Sequence, residues 1–239
     1  SNGEKVIAKV DENRRKSIMR NHTAAHLLQA ALRNVLGDHV HQAGQLVNKL
    51  AVRFDFTHFE PVSPVQLKEI EMQINEKIMA CLPVLNYETN IESARAKGAM
   101  ALFSEKYGDR VRVVEIGDYS IELCGGTHVK NTGELGLFKI VSESSVAAGV
   151  RRIEAITGLG FLYAVDKIQN DLMKVSTVLK TTPAELAHRC ETMLADIKDK
   201  DREIAILNSK LASGQIEKLF ENIKRVNDVA IITANIGGA

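Results

Sequence analysis

Apolar positions along the chain run in a helical rhythm, then alternate, then return to a helical rhythm. Between residues 21 and 36, Leu27, Leu28, Ala31, Leu32, Val35 and Leu36 recur at steps of one, three or four. That pattern predicts a helix with Asn21 as its N-cap and Gly37 as its stop. Residues 50–56 instead alternate: Val52, Phe54 and Phe56 fall on one face and Arg53 and Asp55 on the other, as in a half-buried strand. Ser63-Pro64-Val65-Gln66 reads as a capping box with proline in the first turn. Leu67, Ile70, Ile74, Ile78 and Cys81 continue it as a second helix that ends before Pro83.

Residues 84–157 are strand-rich, with segments 111–116, 119–124, 136–142 and 149–156 separated by Gly-Asp, Gly-Gly-Thr and Asn-Thr-Gly turn signals. Helices followed by short antiparallel strands predict an α+β fold, a helix layer on an antiparallel sheet. After Gly158 the texture changes. Leu162, Val165, Ile168, Leu172, Val175 and Leu179 step by three or four, as do Leu186, Cys190, Met193, Ile197, Lys200, Ile204, Leu207 and Leu211 after Thr181-Thr182-Pro183. Two long helices joined by a short turn predict an antiparallel hairpin that buries its leucine seam internally and does not dimerise through it. Lys200 departs from the seam and is expected to snorkel to water. Beyond Gly214 a short helix and a lone strand at 229–233 read as the start of a truncated further domain. The expected division is 1–158, 159–213 and 214–239.

Composition narrows the functional classes. With 31 Lys plus Arg against 30 Asp plus Glu, the net charge of +1 gives no global pull toward nucleic acid or a membrane, so any nucleic-acid contact rests on local patches such as Arg14-Arg15-Lys16-Arg20 and Arg151-Arg152. No apolar run suffices to cross a bilayer and no apolar stretch follows the N-terminal charges, so the cytoplasm is the expected compartment. Three cysteines, Cys81, Cys124 and Cys190, are odd in number and widely spaced, which argues for reduced thiols.

The candidate chemistry lies in histidines. His22 and His26 stand at i and i+4, on one face of the first predicted helix, a spacing with which two imidazoles grip one metal ion. Cys124-Gly125-Gly126-Thr127-His128 supplies a thiol and a third imidazole at the end of a strand, across glycines that let the backbone turn sharply. One thiolate with three imidazoles is a donor set that zinc prefers.

These residues also carry a family resemblance. Asn21-His22-Thr23-Ala24-Ala25-His26, Arg53-Phe54-Asp55, Cys124-Gly125-Gly126-Thr127-His128-Val129 and residues 145–155 (SVAAGVRRIEA) resemble, in order and spacing, the editing domain of alanyl-tRNA synthetase. The likeness covers residues 3–158, and the hairpin is similar to the helical region on the C-terminal side of that domain. The resemblance implies a fragment without the preceding aminoacylation domain and its ATP site. It implies one zinc ion per chain, held by His22, His26, Cys124 and His128, and an activity: hydrolysis of tRNA(Ala) mischarged with serine or glycine. A pocket shaped for alanine discriminates poorly against both, so a second hydrolytic site is the physical remedy. It further implies that Gln42 and Cys124 serve catalysis, with Thr23, Arg53, Asp55, Gly125, Gly126 and Thr127 near the substrate. Ala25 stands where the family commonly has threonine, so a hydroxyl contact there is absent or supplied by a neighbour.

Two mechanisms stay open at this point. Either one of four ligands yields a position to water or substrate, or zinc organises the pocket and a water placed by Gly125, Gly126 and Gln42 attacks. Two other functions compete: a free-standing editing protein, and a zinc-stabilised tRNA-binding module without catalysis.

Overall fold

The computed structural model describes residues 3, 5–100, 108–221 and 223–232. The chain forms two compact units, Ser1–Lys167 and Ile168–Ala239. The first helix, α1 (Glu12–Leu36), starts well before Asn21, because Asp11 and not Asn21 is the cap: its carboxylate accepts the Arg14 N–H at 3.0 Å. The first turns are largely solvent-facing and so carry no apolar stripe to announce them. Asn21 sits inside the helix, 2% exposed. Its Nδ2 donates to the Asn48 carbonyl at 2.8 Å and its Oδ1 accepts from Thr157 Oγ1 at 2.6 Å.

The remaining elements of the first unit are β1 (Gln42–Val47), β2 (Val52–Thr57), α2 (Pro64–Met79), β3 (Val84–Asn90), α3 (Ile91–Ala96), β4 (Arg110–Ile116), β5 (Ser120–Leu123), β6 (Phe138–Ala147) and β7 (Val150–Thr157). They form a four-stranded antiparallel sheet, β1-β2-β7-β6, and a three-stranded one, β3-β4-β5. As the alternation predicts, Val52, Phe54 and Phe56 are buried, opposite Ala155, Ile153 and Arg151 of β7. They share a core with Leu27, Leu28 and Leu32 of α1 and Ile70 and Ile74 of α2. Burying each such side chain contributes about 1.5–3 kcal/mol, so Phe56→Ala would cost about 3–5 kcal/mol. The capping box at Ser63 and Gln66 forms as predicted.

Strand β4 serves two cores. Val114 and Ile116 join the main cluster, whereas Val111 and Val113 pack with Ala94 and Leu123 in a smaller one. Two strands escape the sequence pattern: β1 (QAGQLV) lies at the edge of its sheet and β3 (VLNYETN) at the edge of the other, and both keep polar residues that spoil alternation.

The helix α4 (Leu159–Val178) and, after a 3₁₀ turn at Pro183–Glu185, the helix α5 (Leu186–Glu221) match the two predicted apolar series. Gly214 does not end the second helix, since a lone interior glycine costs only about 1 kcal/mol relative to alanine. The seam is not buried within the hairpin: Leu172 is 42% exposed and Leu211 66%. Leu172 belongs to the shorter helix, so the extra length of α5 does not by itself account for the exposure. The strand predicted as solitary is paired: β8 (Lys224–Val226) and β9 (Val229–Ile231) form a hairpin. Its turn residues Asn227 and Asp228 both have positive φ, as a tight two-residue turn requires. Thr233, placed in that strand by the sequence pattern, lies outside the described residues.

Candidate metal centre

Helix α1 and the loop after β5 meet so that His22, His26, Cys124 and His128 converge, with their ligand atoms all within 4.8 Å of one another. His22 and His26 share a face one turn apart, and the helix is fixed there by the buried Leu27, Leu28 and Ala31. Cys124 Sγ lies 3.6 Å from His22 Nε2 and 3.4 Å from His128 Nε2. These spacings fit a shared zinc ion: bonds of about 2.3 Å to sulfur and about 2.05 Å to nitrogen, at a tetrahedral angle, put S and N about 3.6 Å apart. His26 and His128 are buried, whereas His22 and Cys124 are half-buried, so one side of the cluster opens toward solvent.

The loop is shaped around this geometry. A Cβ on Gly126 would overlap the His22 ring, so only glycine lets the loop approach. The Gly126 N–H donates to Cys124 Sγ at 3.4 Å, and its carbonyl accepts from the Arg112 guanidinium, which also donates to Asn86 Oδ1 at 3.1 Å. Both hydrogen-bonding groups of Gly126 are thereby engaged, while Gly125 is exposed and Thr127 half-buried.

Behind the imidazoles lie groups that orient them. His26 Nδ1 sits 2.6 Å from Glu122 Oε2, off the line of a well-aligned hydrogen bond, and the two side chains are 4% and 1% exposed. Ser120 Oγ donates to Glu122 at 3.0 Å. Thr23, fully buried, places Oγ1 3.2 Å from His128 Nδ1 and accepts the Val129 N–H at 3.2 Å. With Nδ1 of His26 and of His128 engaged from behind, Nε2 of each is left for the cluster.

The charge states are set by this packing. Burial pushes His26 down, but the Glu122 and Cys124 anions outweigh it and bring its pKa up to about 10. Partial burial raises the Cys124 thiol, yet the imidazoles of His128, His22 and His26 hold it down to about 3. Burial depresses His128 to about 4. Without metal the cluster therefore holds a thiolate beside an imidazolium, and it is primed to exchange that proton for a cation.

Not every site residue expected from the sequence joins the cluster. Gln42 pairs with Phe56 and so shares the sheet face on which α1 packs. Arg53 and Asp55 point from the other face of β2, where Asp55 accepts two hydrogen bonds from Arg152, at 2.7 and 2.8 Å. Thr23 turns its hydroxyl to His128. Glu122 and Arg112 went unnoticed in the sequence. For Glu122 a signal existed: it stands two residues before Cys124 on a predicted strand, which puts an acid on the face of the candidate ligand.

Four donors of this kind, carried by a helix and the loop after a short strand, make a candidate metal centre. Residues 111–154 match the family described as "Threonyl and Alanyl tRNA synthetase second additional domain". Nearly the whole chain is similar to alanine–tRNA ligases. It is 51% identical over 233 residues to that of Acetivibrio thermocellus, covering 98% of this chain and 26% of the relative. To the ligase of Carboxydothermus hydrogenoformans it is 50% identical over 237 residues, covering 99% of this chain and 27% of the relative. The chain is thus a relative of alanyl-tRNA synthetases that spans about a quarter of their length.

Proposed function

We propose that the chain removes wrongly attached amino acids from tRNA, hydrolysing the ester of Ser-tRNA(Ala) and Gly-tRNA(Ala) as the editing part of an alanyl-tRNA synthetase. The observation that carries this reading is the convergence of one thiolate and three imidazoles at a cluster open on one side, in a chain related to alanine–tRNA ligases. His22, His26, Cys124 and His128 would hold the ion, and their mixture of sulfur and nitrogen donors favours zinc. Bound zinc would organise the pocket and, where one of the four ligands yields its place, would act as a Lewis acid on a carbonyl oxygen. The chain's own groups do the rest. Glu122 and Thr23 hold the His26 and His128 rings from behind, Gly126 admits the loop beside His22, and the exposed Gly125 backbone is free to contact an incoming ester. With Cys124 engaged as a metal ligand, and no Ser-His-Asp arrangement adjoining the cluster among the described residues, direct attack by water is favoured over a covalent intermediate.

The test pairs a zinc assay with deacylation of Ser-tRNA(Ala) by the wild-type chain and by Cys124→Ala. The expected result is one zinc ion per wild-type chain, with hydrolysis that falls as zinc is lost in the variant. Full hydrolysis by zinc-free protein would overturn the metal reading. Zinc-loaded protein that binds tRNA and leaves the ester intact would establish the non-catalytic binding module instead.

A further inference from the structure

The basic run near the N-terminus is split by the fold. Lys16 pairs with Glu12 at 2.6 Å, whereas Arg14 and Arg20 line a cleft of about 340 Å³ together with Lys49, Ser17, Thr157 and Tyr163. Three cations face one carboxylate there, that of Asp11, which is already engaged as the cap of α1. Among the described residues Arg14, Arg20 and Lys49 make no ion pair; Arg20 is held at its tip by donating to Ser17 Oγ at 3.0 Å. In a chain of net charge +1, this is a local concentration of uncompensated positive charge.

The cleft is built, not incidental. Its walls are α1, the β1–β2 turn, the end of β7 and the start of α4, and the buried Asn21 ties the first three together through Asn48 and Thr157. Asn48 in turn accepts the Leu50 and Ala51 N–H groups at 2.7 and 3.0 Å, which fixes the turn that carries Lys49. A Cβ on Gly158 would come 3.3 Å from Arg20 Nε, so glycine there gives Arg20 room to lie across the turn after β7. At about 100° per residue, the cleft residues of α1 and the pair His22 and His26 point about 170° apart around the helix.

We infer that this cleft binds the phosphodiester backbone of RNA, with Tyr163 as a surface for a sugar or base, away from the metal cluster. The RNA meant is the tRNA of the proposed function, and the inference rests on that reading for its ligand. Cations that line one cleft can pair with backbone phosphates, and a tyrosine ring offers stacking that tolerates any base. Such a site would grip the body of the RNA while its aminoacylated end is handled on the other face of α1.

The experiment measures binding of uncharged tRNA(Ala) to the zinc-loaded chain by fluorescence anisotropy across a salt series, for wild type, R14E/K49E and the charge-matched control K68E/K198E. R14E/K49E should weaken binding about tenfold and reduce the slope of log affinity against log salt by about 1.5, since each phosphate contact contributes about 0.7–0.9. The control should change neither. Zinc content should be that of wild type in both variants. If the reversals unfold the chain by circular dichroism, R14Q/K49Q takes their place with the same expectation at smaller amplitude. Wild-type affinity and slope in the cleft variant, or an equal loss in the control, overturn the inference. A wild-type chain that binds tRNA without hydrolysing its ester refutes the proposed activity and leaves the cleft to be judged by the binding series alone.

Discussion

Glu122 Oε2 and His26 Nδ1 lie 2.6 Å apart in an almost fully buried pair, which makes a carboxylate the support of a candidate metal ligand. Glu122→Gln keeps the size and an acceptor oxygen but removes the charge. Zinc affinity, measured by competition with a chromophoric chelator, should fall about 10–100-fold while the circular dichroism spectrum is retained. Unchanged affinity would show that the carboxylate only fills space.

Thr23 Oγ1 serves both His128 Nδ1 and the Val129 N–H. Thr23→Val preserves the shape and leaves both groups without a partner. The expected cost is about 1–3 kcal/mol of stability, read as a lower denaturation midpoint in the presence of chelator. Zinc affinity should fall as well; loss of stability without loss of affinity would restrict Thr23 to a packing role.

Gly126 has no room for a side chain on the His22 side. In Gly126→Ala the methyl group displaces the His22 ring or the loop, and either movement spoils the spacing of the donors. Zinc affinity should drop by about tenfold or more, with a cobalt-substituted spectrum that shifts away from the wild-type bands. A normal spectrum would mean that the loop yields without disturbing the donors.

The metal-free protein should have a stability plateau bounded on both sides. His26, raised from 6.5 to about 10, contributes stability that is complete below pH 6.5 and lost as pH rises to 10. Cys124, lowered from 9.0 to about 3, contributes stability that is complete above pH 9 and lost as pH falls to 3. Between pH 6.5 and 9 the two slopes oppose each other. Below 6.5 the loss from Cys124 is joined by that from His128, whose pKa drops from 6.5 to about 4. Thermal midpoints in chelator should be level near neutrality and fall as pH drops from 6.5 to 4; a midpoint that rises over that interval contradicts this assignment.

Much of the architecture could be read from residue pattern because burial and periodicity coincide there. Phe54 and Phe56 face the core in β2, and Ser63 and Gln66 close their capping box, as the spacing alone implies. The four converging donors were legible for a different reason: two short motifs carry them with distinctive chemistry. What escaped depends on contacts distant in sequence. Asn21 reads locally as a cap, yet its amide is satisfied inside a helix by Asn48 and Thr157. Strand spacing puts Glu122 on the face of Cys124, but its contact with His26 comes from a helix distant in sequence. The exposed seam shows the converse, since helical spacing predicts which side of α4 and α5 is apolar but not what covers it.

The 36 unbroken residues of α5 extend about 54 Å and end near the β8–β9 hairpin. Along such a rod, length and bearing are coupled. Deleting one residue draws the hairpin in by only about 1.5 Å but swings it about 100° around the axis, whereas deleting seven shortens the rod by about 10 Å and restores its bearing to within about 20°. Insertions and deletions in α5 therefore act as rotations first and as changes of reach second.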